Sequence, residues 1–87
     1  MAKLKVDVTW DHIDQGVGED PYGCPIALAI GDLPNVMGGA FVDSTMCEFT
    51  HHDCHVCDVP LPKKARTFVQ KFDSGQDVKP FSFTLNL

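Results

Sequence analysis

Positive charge is scarce over most of this sequence. Residues 1–62 hold two bases, Lys3 and Lys5, against ten acids, a formal charge of −8. Nucleic-acid binding requires a broad cationic surface that displaces counterions from phosphates, and that stretch has too few bases to make one. Long apolar runs are also missing. None approaches the roughly 20 residues of a membrane-spanning helix. The opening Met1-Ala2-Lys3-Leu4-Lys5 leads into alternation rather than into an apolar signal segment. The expectation is a protein that stays in the cytoplasm where it is made. Internal repeats and low-complexity tracts are absent, and 87 residues make one domain, 1–87.

A 44% hydrophobic, 22% charged composition is that of a folded chain rather than a disordered one. A core this small supplies only a few kcal/mol of net stability, so a staple is expected. The remaining residues, 63–87, carry five bases against two acids, a charge of +3 within a chain of −5. The acidic portion suits a basic protein partner, through charge complementarity and steering.

Leu4, Val6, Val8 and Trp10 alternate with Lys3, Lys5, Asp7 and Thr9, which predicts a half-buried strand with Trp10 on its inner face. Asp11–Gly16 reads as one capped turn, with Asp11 accepting from the following amides and Gly16 ending it. Pro25 and Gly31 bracket a short apolar helix. Leu33–Thr50 reads as two strands with turns at Gly38-Gly39 and Asp43-Ser44. Ala65, Phe68, Val69 and Phe72 form one stripe of a helix over Lys63–Ser74. Phe81, Phe83, Leu85 and Leu87 form the inner face of a last strand. The fold class is α+β, with element order β-α-β-β-α-β: a mostly antiparallel four-stranded sheet, two helices in a ferredoxin-like split arrangement, and a zinc-binding loop at 47–57.

That loop carries the chemistry. Residues 47–57 hold three of the four cysteines and three of the four histidines. In a reducing compartment, such crowding points to metal ligands before disulfides. Zinc takes four thiolate and imidazole ligands tetrahedrally. Cys54 and Cys57 have knuckle spacing, and Cys47 with His51 completes the set, His52 and His55 being alternates. On a straight strand Cys47 and His51 lie roughly 13 Å apart, so the set requires a bend. Thr50 and Asp53, spaced as a capping box, offer one. Such an ion would be structural, since the local ligands close the site and only Glu48 stands near as a general base.

Cys24 precedes the helix start at Pro25, where the dipole would lower a thiol pKa. It reads first as a small buried residue, then as a spare metal ligand with or without His12, and last as a nucleophile paired with His12. Lys63, Lys64, Arg66 and Lys71 read as a solvated helix face, with contact to an anionic partner as the second reading. Gly16-x-Gly18 lacks the strand–helix setting of a phosphate loop.

Four segments carry a resemblance: Val8-Thr9-x-x-His12-Ile13-x-x-Gly16, Cys24-Pro25-Ile26-Ala27-Leu28-Ala29, Phe68-Val69-x-x-Phe72-Asp73-x-Gly75 and Pro80-Phe81-x-Phe83-x-Leu85. As a set they resemble a group of small proteins encoded by bacteriophages and prophages. The resemblance spans both ends of the chain, leaves out the 47–57 cluster and brings no activity with it. It implies a bacterial host cell and, by analogy with anti-CRISPR proteins, a partner that is a basic host protein such as a CRISPR effector nuclease. The expected function is thus a zinc-stabilised inhibitor acting by protein–protein contact, not an enzyme and not a direct nucleic-acid binder. The alternatives are a zinc-containing nucleic-acid module using Lys63–Lys71 and a metal- or cysteine-dependent hydrolase.

Overall fold

The structure is a computed structural model that describes residues 3–52 and 55–86. Its elements run β1 (Lys3–Val8), α1 (Trp10–Gln15), α2 (Pro25–Gly31), β2 (Val36–Val42), β3 (Met46–His51), β4 (His55–Pro60), α3 (Lys63–Asp73) and β5 (Phe81–Asn86). The α+β class holds, with five strands and three helices in two antiparallel sheets, β1-β5 and β2-β3-β4. The expected single four-stranded sheet is not formed. Residues assigned to a metal loop make a further strand, β4, which pairs with β3. No helix among the described residues is long and apolar enough to cross a membrane.

β1 and β5 pair from Lys3↔Asn86 to Val8↔Phe81. Their period-2 pattern puts Val6, Val8, Phe83 and Leu85 in the core. Leu87 lies outside the described residues. Trp10 does not continue the alternation. Thr9 stops the strand because it caps α1: its Oγ1 accepts from the His12 N–H at 3.4 Å, and its own N–H donates to His12 Nδ1 at 3.0 Å. This reciprocal box turns the chain out of the pleat and leaves Trp10 57% exposed at the first helical position. Thr9, not Asp11, is the cap. Thr9→Ala is expected to cost about 1 kcal/mol, seen as a drop in Tm of roughly 4–8 °C for a domain of this size.

α2 begins at Pro25 as expected and lies at the centre of the molecule, with Ile26 and Ile30 fully buried. Gly16 closes α1 without a left-handed φ. Its missing side chain matters for another reason, since a Cβ there would meet Pro25 Cγ at 2.6 Å.

The β2–β3 turn falls at Asp43, whose Oδ1 accepts from the Thr45 and Met46 N–H groups, both at 2.8 Å. Those bonds favour the ionised carboxylate and lower its pKa. Gly38-Gly39 is not a turn. It is an irregularity within β2, where the register shifts between Met37 and Phe41 and Gly38 takes a φ of 75°. α3 covers β5 through Phe68, whose ring lies 4.8 Å from that of Phe81.

Candidate functional site

The residues singled out for chemistry fall in three places. The first is the junction of α1 and α2. His12 Nδ1 accepts from the Thr9 N–H, so the ring proton sits on Nε2 and donates to Asp32 Oδ2 at 2.6 Å. Both ring nitrogens are thereby engaged, neither with Cys24. The Cys24 thiol caps α2, its Sγ accepting from the Ala27 N–H at 3.4 Å. Burial raises its pKa and outweighs the bonds from the Ala27 and Ile26 amides; Asp73 and Asp20 push the same way. The expected dipole-lowered thiol is corrected here: in a buried site, loss of water costs the thiolate more than the helix end returns.

The second place is the β3–β4 hairpin. Cys47, Phe49 and His51 all point into the core from β3, with Val59 opposite Cys47, Cys57 opposite Phe49 and His55 opposite His51. β3 runs without the bend that a shared ion requires. Thr50 is a strand residue between Met37 and Val56, not the start of a helical turn, and its partner in that expectation, Asp53, lies outside the described residues. Zinc holds its ligands at about 2.0–2.3 Å, and the phenyl ring of Phe49 fills the face between Cys47 and His51, edge-on to the imidazole at 6.4 Å. One ion does not reach both residues in this arrangement.

Cys47 is 0% exposed, and its Sγ donates to the Val59 carbonyl at 3.5 Å. Burial first, and then Asp43 and Asp58, push its pKa up to about 12, so without a bound ion it stays a thiol at neutral pH. Cys57 is disulfide-bonded, so a metal takes its sulfur only after reduction. His52 is exposed, and His55, also exposed, has a left-handed φ of 52° at the hairpin turn. Cys54 lies outside the described residues. Among the described residues, no group of three or more His, Cys, Asp or Glu side chains is placed to hold a metal ion.

The third place was not anticipated: the outer face of the β2-β3-β4 sheet. Cross-strand pairing builds two rows, Met37–Thr50–Val56 and Phe41–Glu48–Asp58. Met37 and Val56 are 58% and 64% exposed. Tyr22, 68% exposed, reaches over from the preceding loop and meets the Phe41 ring edge-on at 5.4 Å. A shallow cavity of about 310 Å³ opens between Tyr22, Phe41, Glu48 and Val56. Glu48 and Asp58 stand directly opposite each other, where like charges repel. Among the described residues the ion pairs are Lys5–Asp7 and His12–Asp32, so no base neutralises this acidic pair. The signal in the sequence is the alternation through Cys57, Asp58 and Val59, which begins at the end of the Cys54–Cys57 ligand spacing. No family model, no curated protein and no solved structure matches this chain.

Proposed function

We propose that this chain is a binding protein rather than an enzyme, and that it docks the outer β2-β3-β4 face on a basic protein surface. One observation carries the reading: exposed Tyr22, Met37 and Val56 stand beside a Glu48–Asp58 pair that no base among the described residues neutralises. Exposed apolar groups rimmed by charge of one sign are the usual anatomy of a docking surface. Lys or Arg from a partner would relieve the repulsion between the two carboxylates while apolar groups cover Tyr22 and Val56. The hydrolase alternative has less support, since Cys24 is a buried, capped thiol and His12 is held by Thr9 and Asp32.

The resemblance to small phage proteins suggests the partner class: a host defence nuclease such as a CRISPR effector, bound in the bacterial cytoplasm through the basic surface on which it loads nucleic acid. The test is capture of purified effectors by the immobilised chain at low and high salt. A complex that forms at low salt and dissociates as salt rises is the expected result. No complex with any effector at low salt removes the inhibitor reading.

Zinc enters this proposal only as a structural clamp at the end of the reduced β3–β4 hairpin, where His51, His52, Cys54, His55 and Cys57 lie close in sequence; Cys47 takes no part. Metal bound to such a site contributes directly to folding. One metal atom per chain purified in reductant, and a Tm that falls on chelation, are expected. A metal-free chain with an unchanged melt removes the clamp and leaves the docking reading standing.

A further inference from the structure

The five bases that follow residue 62 are all exposed. Three of them, Lys64, Lys71 and Lys79, line an open cavity of about 390 Å³ between α3 and the segment leading into β5. Its apolar side is built from Phe68 and Phe81, whose rings stack at 4.8 Å with an interplanar angle of 29°. Lys64, Phe68 and Lys71 fall at i, i+4 and i+7, one face of the helix, so one lysine stands on each side of Phe68 along the cavity wall. The lone acid in the lining is Asp77, which leaves the site at +2 within a chain of −5. None of the three lysines makes an ion pair among the described residues. Volume, an apolar wall and a few convergent charges are the marks of a small-molecule site.

We propose that this cavity binds a small aromatic anion: a flat ring that packs against Phe68 and Phe81 and bears a carboxylate or phosphate held by Lys64, Lys71 and Lys79. The charge sets the sign of the ligand, and the paired phenyl rings set its shape. The site lies on elements separate from the acidic sheet face and does not depend on the docking reading.

Titration of the isotopically labelled full chain, followed by amide shifts, tests this with four probes: 2-naphthoate, AMP, adenosine and inorganic phosphate. Saturable shifts centred on Lys64, Phe68, Lys71 and Phe81 with 2-naphthoate or AMP are expected. The stronger of the two identifies the anionic group. Adenosine is expected to bind about tenfold more weakly than AMP, and Lys64→Ala/Lys71→Ala to lose a similar factor. Both lysines are exposed, so a folded variant is expected, and its unchanged shifts elsewhere verify that. The proposal is overturned if neither anion saturates, if adenosine binds as well as AMP, or if phosphate alone accounts for the AMP affinity. It is also overturned if a single-stranded decathymidylate binds the same residues while the small anions do not.

Discussion

Reversing both charges of the outer-face pair, Glu48→Lys with Asp58→Lys, is expected to abolish partner capture while the chain stays folded. Both side chains are exposed and neither holds an internal ion pair among the described residues, so the core does not depend on them. A partner base that meets two carboxylates would instead meet two ammonium groups. Like charges brought together at an interface cost several kcal/mol, roughly a hundredfold or more in affinity. The single change Glu48→Lys separates binding from stability. It replaces a repulsive cross-strand pair with an attractive one and is expected to stabilise the hairpin by about 0.2–1 kcal/mol, even as it weakens the complex. A variant that melts higher and still binds the partner as the parent does would place the docking surface elsewhere on the molecule.

Alkaline pH is expected to destabilise the fold through Cys47. In the folded chain its pKa is pushed up to about 12 against an ordinary value of 9.0. The unfolded chain therefore gives up this proton first. Stability is full below about pH 9 and falls as pH rises through 12, at a limiting slope of about 1.4 kcal/mol per pH unit. The raised pKa of Cys24 acts in the same direction. The measurement is chemical denaturation from pH 8 to 11 on the chain and on Cys47→Ala. The variant is expected to lose stability at neutral pH, because a buried atom is removed, and to show a shallower decline above pH 9. Parallel declines would mean that the thiol is not the group responsible. The same burial predicts slow alkylation of Cys47 in the native chain and fast alkylation in denaturant.

Crowded cysteines and histidines have two physical explanations: they converge on an ion, or they alternate along a hairpin. The ligand reading needs a bend after Cys47. The alternation Cys57-in, Asp58-out, Val59-in needs none and satisfies the backbone of both strands by pairing. Sequence spacing is compatible with both. For Cys47 the choice falls to pairing, because β4 finds a partner in β3, and β3 stays straight when it is bonded on both edges. Glu48, singled out from the sequence only as a conceivable base, becomes part of a charged row for the same reason.

Other elements were legible because local signals agreed. α3 shows one apolar stripe between Pro62 and Gly75, and β1 and β5 show period 2, so tertiary packing had nothing to overrule. Trp10 is the instructive exception. It keeps the strand rhythm by residue type, yet the Thr9–His12 capping box makes it the first residue of a helix.

The amino-acid order alone therefore determined the α+β class, the amphipathic α3, the pairing-competent ends of the chain and the division into an acidic portion and a basic one. These are consequences of periodicity, caps and charge, all set within a few residues. Tertiary structure alone decided which strands share a sheet, and so which side chains become neighbours. It set Glu48 against Asp58, and Phe68 against Phe81 between lysines. Such contacts join residues far apart in sequence, and they follow from register, which is chosen by the burial of a whole face rather than by any local motif.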